Sequence, residues 1–446
     1  MAMRIKSRHR SCTRTRLVLT AIVIFGGSSL SAQQPDTPLT LDSALVYARQ
    51  HSPRLSARRQ GVTTRKAAVA TAQAERLPRL TLGAVARESS QPAETAMGFP
   101  LTQLSDIPEG QPFRRGHLNA DVRATIPIYT GGRIGSAVSL AQAQRDLAQV
   151  NVLDIERGLD FDVTSTYANL VQLDRDIEAA RESVKALTES RRVVAQMLDE
   201  GKIARVDLLK VDTRLADVQD TAIEFRNSRE IQTGQFNALL GRPIDTPVIV
   251  ETTLPQPPEQ LSIEQVSQLA GTGSTKNQIA RAEVSISERS VAVERSALRP
   301  SLSLVGDLRG QSADPFALYK GGVVAGAVFM FPLFDRTLTD RVEEAKSRAL
   351  ERRADLKQAE LDATQRARTA YLQARNSQER IRATEAAIGY AREALRIEQE
   401  KQRYGRGIIE TLLDAQAALL TSEARYYRAL ADYTTAIAAL KRETGI

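Results

Sequence analysis

The residue types able to do chemistry are scarce and scattered in this chain. His51 and His117 lie far apart, one just before a proline at a helix junction and one at a strand start. A metal site needs three or four such ligands converging, and neither histidine has that company. The run Gly131–Ser136, GGRIGS, follows a strand pattern and opens a helix pattern, as a phosphate-cradling loop does. It lacks the third glycine and the parallel βαβ setting of that loop, so it reads as a turn between strand and helix. No nucleophile elbow, phosphate loop or Ser/His/Asp set with positional logic is present. The expectation is therefore a protein without catalytic residues, cofactor or metal, whose work is done by architecture.

The N-terminus bears on where that work is done. Arg4, Lys6, Arg8, Arg10, Arg14 and Arg16 precede an apolar run from Leu17 to Phe25, and small residues follow from Gly26 to Ala32. This is the pattern of a secretory signal peptide over residues 1–32; the apolar run is too short to span a bilayer as a helix. Removing it takes Lys+Arg from 61 to 55 against 53 Asp+Glu, so the net charge of +8 falls to +2. The basic balance thus belongs to the leader and gives no argument for a nucleic-acid partner. The only cysteine, Cys12, falls within the same segment, which leaves no disulfide or thiol chemistry for the exported chain.

The remainder is duplicated. LPRLTL (Leu77–Leu82) pairs with LRPSLSL (Leu298–Leu304), Pro127 with Pro332, Tyr167 with Tyr371, and Gly201 in DEGKIARVDLL with Gly405 in RYGRGIIETLL. From Pro127 onward the offset is 204 or 205, whereas Pro78 and Pro300 are 222 apart, so the first half carries the longer loop, near 89–117. The reading is a first repeat over 33–241, a Pro-rich linker over 242–260 and a second repeat over 261–446.

Each repeat reads as helix, strand, strand, long helix, shorter helix. Between about Gly135 and Glu200 there is no proline and one interior glycine, and apolar residues recur in steps of three, four and seven from Val152 to Leu198. That spacing predicts one helix over 135–200, and its counterpart over 336–403, each about 100 Å long at 1.5 Å per residue. Helices at 53–76 and 206–240 are expected to stack end to end beside the first rod, and those at 277–298 and 408–443 beside the second. Gly201 and Gly405 then mark hairpin tips, where glycine relieves a left-handed residue past a helix end.

Four strands are expected: 79–88, 118–128, 301–309 and 322–334. The first three alternate apolar with polar residues, as in Leu118, Ala120, Val122, Ala124 and Ile126 against Asn119, Asp121, Arg123 and Thr125. The fourth is apolar throughout and ends in Phe329, Phe331 and Phe334, an aromatic set suited to a membrane interface. Each has roughly the 9–11 residues of a tilted transmembrane strand. Four strands leave two open edges, which lipid does not tolerate, so copies must join. Two copies would make a barrel filled by side chains, and three a barrel wide enough for a water-filled duct.

At this point the chain resembles the TolC-like outer-membrane efflux family, over essentially Leu39 to Gly445. The resemblance rests on LTLDSALVYARQHSPRLSARR at Leu39–Arg59, the paired glycine tips, NALLGRPI closing the first repeat and LLDAQAALL after the second tip. It implies a mainly α fold with a small β part. Long α-helical coiled-coil hairpins would build a periplasmic tunnel, and four strands per subunit a trimeric twelve-stranded transmembrane β-barrel. It also implies partners: a homotrimer, a periplasmic adaptor, an inner-membrane transporter and outer-membrane lipid. The adaptor-contacting tips would be Glu200, Gly201, Lys202, Tyr404, Gly405 and Arg406. The family's Asp-x-x-Asp aperture pair falls on Thr411 and Asp414, with Glu410 alongside, so the first acid is missing. Three copies of Asp414 on a narrow axis would repel one another and attract cations; the plain alternative is a solvated helix-face charge. Arg403 and Arg406 stand near as partners for these acids or for the adaptor, or as ordinary cations at a helix C-terminus. The expected function is passive conduction as the outer-membrane channel subunit of a tripartite efflux or type I secretion system. The rival is a periplasmic coiled-coil adaptor or stalk that never enters the membrane.

Overall fold

A computed structural model describes residues 38–88, 116–251, 262–312, 321–404 and 406–446. The expected signal peptide at 1–32, most of the loop near 89–117, linker residues 252–260 and Gly405 lie outside the described residues. The elements run α1 (Leu41–His51), α2 (Pro53–Ala74), β1 (Arg79–Glu88), β2 (Gly116–Tyr129), α3 (Arg133–Asp199) and α4 (Arg205–Leu240). They continue as α5 (Ile263–Gly273), α6 (Thr275–Ser296), β3 (Ser301–Ser312), β4 (Gly321–Met330), α7 (Arg336–Arg403) and α8 (Ile409–Thr444). The two rods have 67 and 68 residues, far beyond the roughly 11–12 of an ordinary globular helix.

Several element boundaries depart from the sequence expectation. β4 stops at Met330 rather than reaching 334, because Pro332 has no N–H to donate to a ladder and the chain then enters the cap of α7, where the Asp335 carboxylate accepts from Thr337 N. β2 and β3 are longer than expected, pairing from Leu118↔Ser312 to Tyr129↔Leu302 with a bulge between Pro127 and Tyr129. Two short helices, α1 and α5, precede α2 and α6. Ser52 is held extended by Pro53, which ends α1 and starts α2. Ser274 makes the same break between α5 and α6 without a proline.

The helices pack in a fixed lateral order. α2 and α4 lie along one flank of α3; α6 and α8 lie along its other flank and also along α7. The flanking helices abut end to end. Gly241, at the end of α4 with φ 72°, sits so close to the turn into α2 that an added Cβ would stand 2.6 Å from the His51 carbonyl oxygen. A side chain on Gly273 would overlap the Thr444 carbonyl at the end of α8. The sheet repeats the order, β1-β2-β3-β4, all antiparallel. The subunit is therefore one layer, reading α2/α4, α3, α6/α8, α7 in its helical part and β1 to β4 in its sheet, except near the tips, where α4 and α8 also meet.

The segment 154–160 of α3 fastens both joints. Arg49 of α1 makes two hydrogen bonds to Asp160, at 2.8 and 2.6 Å. Asp154 accepts from Thr275 Oγ1 at 2.7 Å and from Lys276 Nζ at 2.8 Å. Burial opposes the charge on Asp154, but these two donors hold its carboxyl below the usual range. Arg157 donates to the Gly273 carbonyl at 2.7 Å. The largest core cluster lies beside this segment. Tyr167 and Phe236 are fully buried there with ring centroids 6.2 Å apart, and Tyr167 Oη donates to the carbonyls of Leu39 and Glu251.

Candidate functional site

The sheet has two unlike faces. Leu80, Leu82, Val122, Leu304, Leu308, Val323 and Phe329 share one parity of the register and form an apolar face, on which Leu80, Leu82, Val323 and Phe329 are strongly exposed. The opposite face carries Arg79, Asp121, Arg123, Asp307 and Arg309. Below the sheet, Leu333 and Phe334 are 89% and 91% exposed. An apolar sheet face with bare aromatics at its margin is a poor solvent-facing surface and a good lipid-facing one.

The layer also ends in unpartnered helical edges. α4 buries Val211, Val218, Ala222 and Phe236, and exposes Ile223 and Ile231 on roughly the opposite side. α7 buries a stripe of alanines against α6 and α8, and exposes Leu350, Leu361 and Leu372 at eleven-residue spacing, again on roughly the opposite side. These helices stand at the same two flanks as β1 and β4.

The tips are built from two helical hairpins. After α3, Gly201 adopts φ 71°, Gly201 N donates to the Leu198 carbonyl and Lys202 N to the Met197 carbonyl, which closes the helix end with a left-handed residue. After α7, Arg406 N donates to the Lys401 carbonyl at 2.9 Å, the same bond one repeat later. Gly407 is required there by crowding, since a Cβ would stand 2.5 Å from Gln402 Oε1 and 2.8 Å from its Cα. Glu200 pairs with Lys202 Nζ at 2.7 Å, and that hydrogen bond, with one from Gln196, holds its carboxyl below the ordinary range. Tyr404 is 80% exposed.

The expected aperture residues occupy three different settings. Glu410 accepts from Lys210 Nζ of α4 at 3.1 Å, joining the second hairpin to the first. Thr411 donates to Glu398 Oε2 of α7 at 2.9 Å, inside its own hairpin. Lys401 and then Thr411 lower the Glu398 carboxyl from its usual value. Asp414 is exposed and lines a groove between α4 and α8 with Val206, Leu209, Lys210 and Arg214. Asp414, Arg403 and Arg406 take part in no ion pair among the described residues.

Sequence reasoning missed what holds α8 to the first hairpin. Beneath the tips Leu187, Val194, Val211, Val218, Ile409 and Leu413 form one apolar cluster shared by α3, α4 and α8. Gln416 Nε2 donates to Ser190 Oγ at 3.4 Å. The repeats do differ in charge here: with Gly201 set on Gly405, Lys210 is the counterpart of Asp414, so equivalent positions carry opposite charge. Among the described residues no group of His, Cys, Asp or Glu has metal-binding geometry, and Gly131 and Gly132, at φ 63° and 87°, form the strand-to-helix turn packed on Arg299.

Residues 44–242 and 276–445 match the profile of the outer membrane efflux protein family. The chain is 22% identical over 315 residues to nodulation protein T of Rhizobium leguminosarum bv. trifolii, covering 68% of this chain and 67% of that protein. It is 22% identical over 239 residues to the cobalt-zinc-cadmium resistance protein CzcC of Cupriavidus metallidurans, covering 53% and 55%. Among solved structures it resembles the outer-membrane channel OprN at 19% identity and a TM-score of 0.75, over 91% of this chain and 89% of that one. It resembles the outer-membrane protein VceC of Vibrio cholerae at 19% identity and 0.74, over 91% and 96%. At these identities the structural likeness establishes the fold.

Proposed function

This chain belongs to the outer membrane efflux protein family, and from that membership we propose that three copies close into one continuous duct. The subunit is an outer-membrane channel component with a long periplasmic helical portion, and it is not an enzyme. The single observation that supports the trimer is the coincidence of edges. β1 and β4, α4 and α7 are all unpartnered on the same two flanks of one layer. Joining flank to flank pairs the sheet edges, as lipid demands, and covers the α4 and α7 stripes in the same step. Each large apolar side chain so buried contributes about 1.5–3 kcal/mol. Three copies supply twelve strands.

In this reading the apolar sheet face meets lipid, and Phe329 and Phe334 lie near the membrane margin. The tips, Glu200–Lys202 and Tyr404–Arg406, meet a periplasmic adaptor. Opening moves the α7–α8 hairpin outward relative to α3–α4, which breaks Lys210–Glu410 and slides α8 over the shared apolar cluster. Energy and the first choice of cargo come from an inner-membrane transporter, because the duct conducts without a driving force of its own. The names of the relatives span metal resistance, nodulation and protease secretion, a range suited to a conduit whose cargo is set elsewhere.

The test is purification of the mature protein with mass measurement and reconstitution in planar bilayers. A three-copy, detergent-requiring species with low conductance that rises when the Lys210–Glu410 pair is removed would support duct and latch together. A monomer soluble without detergent and silent in bilayers would overturn them in favour of a periplasmic stalk.

A further inference from the structure

The polar face of the sheet has an uneven charge pattern. Reading from the helical end, its rows are Arg79–Thr125–Val305–Gly326, then Thr81–Arg123–Asp307–Val324, then Gly83–Asp121–Arg309–Gly322. Within these three rows three arginines face two aspartates, a surplus of one positive charge per subunit, and the register of this face continues to Val85–Asn119–Gln311 and Arg87–His117.

Burial sharpens the bias. Asp307 is only 7% exposed, clamped by Arg123 Nε at 2.7 Å and Arg309 Nη2 at 3.2 Å. The Arg123 and Arg309 side chains are 50% and 63% exposed. Asp121 is half-buried and leans over Gly83, so close that a Cβ there would stand 2.7 Å from its carboxylate oxygen. Arg79 is exposed and makes no ion pair among the described residues. The acids lie in the wall and the guanidinium groups cover them. On the same face β4 offers only Gly322, Val324, Gly326 and Val328, so nothing there offsets the charge.

We propose that this face makes the barrel lumen selective for anionic solutes, with Arg79, Arg123 and Arg309 as the residues that set the preference. The inference rests on the trimeric duct, in which the apolar face meets lipid and this face lines the lumen. Closing three subunits gives nine arginines against six aspartates in a band about three rows tall. Each cationic band borders an uncharged valine and glycine strip, so the lumen suits an organic anion with an apolar body better than a bare cation. The field reaches across a wide lumen only where screening is weak: the Debye length is about 30 Å at 0.01 M salt and about 3 Å at 1 M.

The experiment is the reversal potential of the reconstituted trimer under a KCl gradient at low salt, repeated near 1 M. Wild-type channels should pass chloride over potassium by about two- to fourfold at low salt and lose the preference at high salt. Arg79→Gln with Arg309→Gln leaves one arginine against two aspartates in these three rows and should remove or reverse the preference, while Arg309→Lys should keep it. Should the double variant fail to assemble by mass, Arg79→Gln alone, at an exposed and unpaired site, should still weaken the preference measurably. Conducting trimers that favour potassium, or whose selectivity ignores these substitutions, would overturn the proposal and leave the duct standing. A trimer with no conductance would refute the duct, and this inference with it.

Discussion

Removing the Lys210–Glu410 pair should raise the open fraction of the channel. The pair spans 3.1 Å between side chains that are 45% and 66% exposed. An ion pair of that exposure contributes about 0.2–1 kcal/mol. One such pair would be hard to detect, but a threefold assembly that opens in concert breaks three. The closed state then loses about 0.6–3 kcal/mol, which raises the open-to-closed ratio by about 3- to 150-fold. Single-channel recording of Lys210→Ala and of Glu410→Ala reads this directly. Each should open more often than wild type at low salt, and the difference should shrink near 1 M, where screening is almost complete. The exchange Lys210→Glu with Glu410→Lys should return the channel to its closed habit. If the exchanged protein opened as freely as either single variant, or if neither single variant differed from wild type at low salt, this bond would not be a latch.

Three further outcomes follow from the packing. Asp176 is buried on α3 with one oxygen unpartnered, and burial pushes its carboxyl up to about 6 against hydrogen bonding from Gln172 and the charge of Arg428. Because the folded value is raised, its contribution favours the fold at acid pH and is lost as pH rises through about 6; wild type minus Asp176→Asn should therefore fall by about 2–3 kcal/mol between pH 4 and pH 7.5 in thermal stability. Gly273→Ala drives a methyl group into the Thr444 carbonyl and should cost about 1–3 kcal/mol, read as a lower melting temperature of the assembled protein. Phe236→Ala empties a fully buried site beside Tyr167 and should cost about 3–5 kcal/mol in the same assay.

The elements were legible where one periodicity ran uninterrupted. The 67-residue α3 has no proline and keeps a single apolar stripe, so the sequence marks its ends to within two residues. β1 was placed to the residue because Pro78 and the alternation of Leu80 and Leu82 frame it. β4 was overextended because Phe331 and Phe334 look like strand residues, while the missing N–H of Pro332 decides the matter locally. The α1–α2 and α5–α6 breaks were hidden because periodicity continues through Ser52 and Ser274, and the interruption is set by docking on α3. The site was less legible than the fold. Glycines at the tips announce a turn, but Glu410 facing Lys210 and Thr411 facing Glu398 depend on how four helices are rotated, and no spacing within one helix encodes that.

The fastening of α3 at 154–160, nearer its N-terminal end, gives the rod the mechanics of a lever. Arg49–Asp160, Asp154 with Thr275 and Lys276, and Arg157 with Gly273 act as the fulcrum near Gly158. The arm from there to Asp199 is 41 residues, about 60 Å at helical rise. A tilt of about 5° swings its far end by about 5 Å, while groups about 5 Å from the pivot shift by less than about 0.5 Å. An excursion of that size at the tip therefore fits inside the slack of ordinary hydrogen bonds at the fulcrum, with every helix left whole.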